Sequence, residues 1–280
     1  MKRAVNSVIN QTYTDFECIV VDDASSDDTP EVINLFNDNR LVYVRNEFNK
    51  GASASRNNGI RLAKGELISF LDDDDEWMND KLEKQVDLLE KSSFNVGLVY
   101  CWMSYIVNDV MLKNYTPRFK GHIFQDMLDK QVIGNSSTLL VRRKVIDEIG
   151  GFDELLLRGN DGDFIRRVCK KYEVDFVPEI QVKVYVDHGQ SRISDNDPEG
   201  IKNHIISGLA KIRKFQMILD RFPEQKANIF FDLARSYLKL RDYHNFFYYY
   251  LKAYSFFPYS KRYLTSFASD LKSLISTQLK

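Results

Sequence analysis

Short apolar runs alternate with amphipathic segments along the first third of the chain. Residues 16–21, 41–45 and 67–71 have the length and composition of buried strands, and residues 52–63 show the spacing of a helix. Strand–helix–strand order, repeated in this way, is typical of βαβ units. We therefore predict an α/β fold with a mostly parallel sheet flanked by helices.

The pattern changes towards the C-terminus. Residues 229–258 have helical spacing and are rich in Phe and Tyr, which predicts an αα-hairpin. Residues 201–280 carry 14 Lys or Arg against 5 Asp or Glu, although the whole chain has a net charge of -1. The balance changes near Asp197, and we predict a main α/β domain at 1–197 followed by an all-α extension at 198–280.

The uneven charge also bears on partners and location. We expect the aromatic residues of the extension to pack onto the main domain. Because the extension is also basic, contact with an anionic membrane surface or with a partner is the alternative. The extension has no concentrated basic stripe, so we expect no nucleic-acid partner. The chain has no run of ~18 apolar residues and only 3 widely spaced cysteines, which indicate reduced thiols. We expect a cytoplasmic protein, with any membrane contact peripheral and at the inner face.

Five acidic residues, 72–76, follow the apolar run 67–71 without a break. Carboxylates packed this closely repel one another, and a divalent cation bound by oxygen ligands is the usual remedy. Side chains two apart leave an extended strand on the same side, so Asp72 and Asp74 can reach one cation. The alternative is a solvated acidic turn before the helix predicted from residue 80.

Five motifs, in order along the chain, resemble glycosyltransferase family 2. They are residues 7–13 with 19–25, residues 49–51 with 54–60, residues 71–75 with Trp77, residues 150–154 followed by 160–163, and His188 with Ser191. The resemblance covers roughly residues 3–195. It implies a GT-A fold and transfer of a sugar, usually with inversion, from a nucleotide-diphosphate donor to a hydroxyl acceptor with Mg²⁺ or Mn²⁺. A UDP-sugar is the expected donor, and a glycan or lipid-linked acceptor in surface polysaccharide synthesis is the expected partner.

The resemblance also implies roles at the acidic run. By position, Asp74 is expected to ligate the metal directly, and His188 to complete the metal site. Asp72 is expected near the ribose or on the metal through water, with Asp73 as the third member of the motif. The alternative for His188 is a surface histidine in a loop.

Three further residues match donor-side positions of the family. Asp23 is expected to accept a hydrogen bond from uracil N3–H, with Asp22 as its orienting neighbour. Arg56 resembles the arginine that bridges nucleotide and phosphate, and a structural salt bridge is the alternative.

Inverting transfer needs one general base for the acceptor hydroxyl. Asp161 aligns with the aspartate of the family's Glu-Asp pair and is expected to be that base. Asn160 stands where the family commonly has Glu. Asp163 is expected to be only a neighbour, because an acid in the first turn of a helix has a structural explanation.

The start of the sequence departs from the family. Members open with a strand before the first helix, whereas Met1 here falls almost on that helix. We therefore expect the first strand to be absent and an inner sheet edge to be unpaired. A binding or scaffold protein with impaired catalysis is the alternative function. A phosphotransferase with an aspartate nucleophile fits the residues after the acidic strand end badly.

Overall fold

The computed structural model describes residues 1–186, 197–258, 260, 263 and 265. Contacts between residues divide the chain into two compact units, Met1–Ser191 and Arg192–Lys280. The helices of the described residues are α1 (Lys2–Ile9), α2 (Thr29–Asn34), α3 (Ala52–Leu62), α4 (Lys81–Lys91), α5 (Arg143–Ile149), α6 (Asn160–Cys169), α7 (Pro198–Leu219), α8 (Pro223–Lys239) and α9 (Tyr243–Phe256). The strands are β1 (Cys18–Asp22), β2 (Leu41–Arg45), β3 (Leu67–Ser69), β4 (Asp75–Trp77), β5 (Val96–Val107), β6 (Val110–Tyr115), β7 (Leu139–Arg142) and β8 (Glu173–Tyr185).

The strands of the first unit form two sheets. β1 and β2 pair in parallel with α2 between them, as the βαβ pattern predicts. The second sheet has the order β3-β7-β5-β8-β4, with β6 paired to β5. In it only β5 and β8 run parallel, and the other pairs are antiparallel. The α/β class is confirmed, and the prediction of a mostly parallel sheet is corrected to a mixed one.

Five of the described strands keep an open edge. Among the described strands, β1 and β2 pair only with each other, β3 pairs with β7 alone, β4 with β8 alone and β6 with β5 alone. The hairpin between β5 and β6 turns at Asn108 and Asp109, whose φ angles of 47° and 59° suit a two-residue turn.

The second sheet is packed with apolar residues on both faces. One cluster brings Leu98 and Tyr100 of β5 and Leu139 and Val141 of β7 together with two residues of α6, Phe164 and Val168. In it Phe152 stacks on Phe164 with ring centroids 4.5 Å apart, and Phe70 meets Phe152 edge-on at 5.1 Å. This aromatic group anchors the end of the apolar run that leads into the acidic residues.

The part of the second unit that the structure describes consists of helices and their connections. α8 and α9 form the predicted αα-hairpin, in which Tyr237 stacks on Tyr249 with centroids 5.3 Å apart. The predicted all-α extension at 198–280 includes the long helix α7, although the bounds of this helix were not predicted. Asp197 caps α7 by accepting a hydrogen bond from the backbone N–H of Gly200 at 2.7 Å. No helix in the described part of the chain is both long and apolar enough to cross a membrane.

Candidate active site

An acidic turn joins β3 to β4. The backbone N–H of Asp75 donates to the carbonyl of Asp72 at 3.0 Å and closes the turn. Carboxylate oxygens of Asp72, Asp74 and Asp75 lie within 4.8 Å of one another, while Asp73 is exposed and outside this group. The predicted convergence of Asp72 and Asp74 therefore occurs, but through a reversal of the chain instead of along one extended strand.

Asp75 is the member of this group that the sequence interpretation left out. It is 1% exposed, and its Oδ2 accepts hydrogen bonds from Ser137 Oγ at 2.6 Å and Asn135 Nδ2 at 3.3 Å. Burial raises the pKa of Asp75 to about 8, and the nearby Asp72 carboxylate adds to the rise. A buried carboxyl beside two others favours either a proton or a cation at this position.

Arg56, on α3, lies beside the acidic turn. Its Nη2 is 2.5 Å from Asp72 Oδ1, and its Nη1 is 3.6 Å from Asp161 Oδ1. The guanidinium carbon also lies 5.2 Å from the ring centre of Phe152. Burial would lower the pKa of Arg56, but the Asp72 and Asp161 carboxylates outweigh burial and raise it. The structure thus brings Arg56, Asp72 and Asp161 together at one place.

Asp161 lies in the first turn of α6, after Gly159, whose φ of 73° lets the chain enter the helix sharply. Burial raises the pKa of Asp161, while Arg56 and the backbone N–H of Ser136, 3.3 Å from Oδ2, counteract the rise. The preceding Asn160 donates to Ser53 Oγ at 3.0 Å and so ties α6 to α3. A buried carboxyl group with a raised pKa accepts a proton more readily than an exposed aspartate does.

Asp22, at the end of β1, holds the first sheet together. Its Oδ1 accepts from the N–H and Oγ of Ser25, and its Oδ2 accepts from Tyr43 Oη at 2.6 Å and Arg45 Nη1 at 2.9 Å. Burial alone would raise the pKa of Asp22, but the bonds from Ser25 and Tyr43 keep it below its usual value. The two oxygens accept from four donors within the fold, which fills the hydrogen-bonding capacity of this carboxylate.

Asp23 ties β1 to the loop before α3. Its Oδ1 accepts from Asn46 Nδ2 at 2.8 Å and from the Lys50 N–H at 2.9 Å, and its Oδ2 accepts from the Gly51 N–H at 2.7 Å. Burial opposes these bonds, but they prevail and lower the pKa of Asp23. The carboxylate is therefore ionised and acts as an acceptor at neutral pH.

Three residues at the site, Asn135, Ser136 and Ser137, were not predicted. The polar run immediately before the apolar strand β7 was the available signal in the sequence. Four buried side-chain polar atoms in the described part of the chain lack a hydrogen-bond partner, and three of these are Arg56 Nη1, Asp161 Oδ1 and Asn135 Oδ1. Such atoms are rare in folded proteins, and their grouping here suits a polar ligand. His188 lies outside the described residues.

Comparisons with known proteins identify the family of this chain. A model described as Glycosyl transferase family 2 matches residues 1–150. An uncharacterized glycosyltransferase of Methanocaldococcus jannaschii is 30% identical over 200 residues, which cover 69% of this chain and 68% of that protein. The chain belongs to glycosyl transferase family 2. Since the family match begins at residue 1, it gives no evidence that a first strand is missing.

Relatives with named activities match shorter stretches of this family 2 member. The UDP-Glc:alpha-D-GlcNAc-diphosphoundecaprenol beta-1,3-glucosyltransferase WfaP of Escherichia coli is 37% identical over 108 residues. That match covers 38% of this chain and 43% of WfaP. The chain therefore spans less than half of this relative.

Solved structures share the fold. S. aureus TarS 1-349 in complex with UDP-GlcNAc aligns with a TM-score of 0.61 and 16% identity, covering 90% of this chain and 86% of that one. Mannosyltransferase PcManGT from Pyrobaculum calidifontis in complex with GDP-Man and Mn2+ aligns with a TM-score of 0.59 and 17% identity, covering 97% and 75%. The family 2 chain thus has a GT-A-like α/β fold with a mixed sheet and a C-terminal helical region.

Proposed function

We propose that this family 2 glycosyltransferase moves a sugar, with inversion, from a UDP-sugar to a hydroxyl acceptor in the synthesis of surface polysaccharide or another glycan. The observation that carries the proposal is the grouping of Asp72, Asp74 and Asp75 within 4.8 Å, beside Arg56 and Asp161. A cation among the carboxylates and a guanidinium at their side suit a diphosphate. The relatives named for UDP-Glc support UDP as the nucleotide.

The acidic turn fits Mg²⁺ or Mn²⁺, because hard cations prefer carboxylate oxygens and the three carboxyl groups already converge. When bound, such a cation neutralises charge on the diphosphate leaving group as a Lewis acid. Asp74 is the proposed direct ligand, with Asp72 near the ribose or reaching the metal through water and His188 completing the site. Asp73 is exposed, and we assign it no direct contact with the metal or the donor.

The donor's base is assigned to the end of β1. Asp23, ionised and at the strand end, is the proposed acceptor for uracil N3–H. Asp22 supports it from within the fold, since its oxygens are already bonded to Ser25, Tyr43 and Arg45. Arg56 is the proposed bridge to the phosphates. Its Nη1 forms the long ion pair with Asp161 but makes no hydrogen bond within the fold, which supports this role.

Asp161 is the proposed general base. In the proposed step it takes the proton of the acceptor hydroxyl while that oxygen attacks the anomeric carbon of the donor sugar. The charge of Arg56 and the N–H of Ser136 hold its carboxylate in one orientation. Burial raises the pKa of Asp161, which makes it a stronger base than an exposed aspartate.

A transfer assay tests this function. UDP-glucose, UDP-galactose, UDP-GlcNAc and GDP-mannose are each supplied with Mn²⁺ and a synthetic GlcNAc-diphospholipid acceptor, and product is followed by mass spectrometry. We expect transfer from at least one UDP-sugar, at least about tenfold less from GDP-mannose, and none with EDTA. Metal-dependent UDP binding without transfer from any donor would favour the scaffold function instead.

We further propose that the helical unit contacts an anionic membrane at the cytoplasmic face, where a lipid-linked acceptor is presented. α9 exposes a stripe of Tyr243, Phe247, Leu251 and Tyr254, whose spacing places them on one side of the helix. Residues 201–280 carry 14 basic and 5 acidic residues, and this positive charge favours anionic lipid as the partner that the stripe contacts.

Leu251→Asp is expected to weaken binding to vesicles rich in anionic lipid by about tenfold. The substitution removes an exposed apolar side chain and adds a negative charge that anionic lipid repels. Ser255→Asp, on the same helix, adds the same charge without removing apolar surface and is the matched control. Co-sedimentation with anionic and with neutral vesicles measures both. If the two variants lose vesicle binding equally, the proposed membrane contact is contradicted. It is also contradicted if the parent chain binds no vesicles and instead forms a dimer that Leu251→Asp dissociates.

A further inference from the structure

Ser137 connects the carboxylate of Asp75 to the backbone of Asp72 in the acidic turn. Its Oγ donates to Asp75 Oδ2 at 2.6 Å and accepts from the backbone N–H of Asp72 at 3.1 Å. The hydroxyl is thus held between the first and the last residue of the turn. Because the accepted bond orients the hydroxyl, its proton points at Asp75.

The two residues before Ser137 extend the same connection. Ser136 donates from Oγ to Asp72 Oδ1 at 3.4 Å and from its backbone N–H to Asp161 Oδ2 at 3.3 Å. Asn135 adds the longer bond from Nδ2 to Asp75. Residues 135–137, here named the carboxylate bridge, therefore contact the acidic turn and the first turn of α6 at once.

The opposite side of the carboxylate bridge is fixed in the core. Trp77 Nε1 donates to the carbonyl of Ser137 at 2.9 Å, and Gln85 Nε2 donates to the carbonyl of Thr138 at 2.9 Å. Lys81, which is fully buried, bonds Gln85 Oε1 at 2.7 Å and lies 3.9 Å from the ring centre of Trp77. Residues of β4 and α4 thereby hold the bridge on a rigid base.

We propose that Ser137 is a positioning residue that sets the spacing of Asp72 and Asp75 for the cation. This inference rests on the proposed function, since it assumes that the acidic turn binds metal. Partners that orient metal-binding carboxylates from outside the coordination sphere commonly change metal affinity by about 10–100-fold when they are removed. Ser137 occupies such a place: it touches Asp75 and the backbone of Asp72 and is itself 0% exposed.

Titration of Mn²⁺ into the full chain with UDP, followed by electron paramagnetic resonance, tests the proposal. Ser137→Ala is expected to weaken Mn²⁺ binding by at least about tenfold. Transfer by the variant is expected to return when Mn²⁺ is raised, so that the apparent KM for Mn²⁺ changes more than kcat. Ser104→Ala is the matched control, because Ser104 is a buried sheet serine whose Oγ bonds Asn114 and which lies outside the site. It should bind Mn²⁺ within about twofold of the parent.

The outcomes separate the two proposals. If the parent chain shows no metal-dependent UDP binding, the proposed function itself fails. If the parent binds and Ser137→Ala binds Mn²⁺ equally well, the positioning role is wrong. Loss of transfer that excess Mn²⁺ does not restore, in a variant that still unfolds cooperatively, also overturns it. Should Ser137→Ala fail to fold, Ser137→Cys, which keeps a similar volume and only a weak donor, is measured against the same expectation.

Discussion

Replacing Asp161 with asparagine is expected to lower the rate of sugar transfer by about 10³-fold and to leave UDP affinity nearly unchanged. The amide has the shape of the carboxyl group but cannot take a proton from the acceptor hydroxyl. Arg56 keeps its bond to Asp72 in this variant, so the donor side of the site remains in place. Initial rates and calorimetric titration with UDP measure the two effects separately.

Asp163→Asn is the matched control for this experiment. Asp163 lies two residues further along α6, is 3% exposed, and accepts from Arg167 Nε at 2.9 Å. Its replacement is expected to lower thermal stability while the transfer rate stays within about threefold of the parent, because the acid serves the helix and not the reaction. Normal transfer by Asp161→Asn would mean that the general base lies elsewhere.

Replacing Asp74 with alanine is expected to weaken Mn²⁺-dependent UDP binding by at least about 100-fold, to the level measured in EDTA. The variant removes the proposed direct ligand and one of the three convergent carboxyl groups. Calorimetric titration of UDP with Mn²⁺ and with EDTA provides the measurement.

Asp73→Ala removes the same charge from the adjacent residue of the same turn. Asp73 is exposed and outside the convergent group, so its loss is expected to change UDP affinity by less than about threefold. If both variants weaken binding equally, the total charge of the turn matters and Asp74 has no special place in it.

The sequence predicted the location of the acidic site but not its full membership. A run of five acids after an apolar strand is a local signal, and Asp72 and Asp74 could be selected from it. Asp75 could not be selected in this way, because its burial depends on a chain reversal and on Ser137, which is 62 residues away along the chain. Contacts of that separation leave no trace in local periodicity.

The difference between local signals and long-range contacts also explains which parts of the sheets could be predicted. The parallel pair β1 and β2 has a short crossover helix and was readable as a βαβ unit. The antiparallel neighbours β7 and β5 lie far apart in the chain. Their order in the sheet follows from packing between distant segments, which a local sequence pattern does not encode. By contrast, the start of α7 carried a readable signal in Asp197 and Pro198, a capping residue followed by a first-turn proline.

The central claim is that the acidic turn holds a divalent cation that binds the nucleotide diphosphate. Calorimetric titration of UDP into the parent chain, once with Mn²⁺ and once with EDTA, tests it most directly. We expect a dissociation constant of about micromolar size with Mn²⁺, which corresponds to about −8 kcal/mol, and at least about 100-fold weaker binding in EDTA. Equal UDP affinity with and without the metal would contradict the claim, even if sugar transfer were observed.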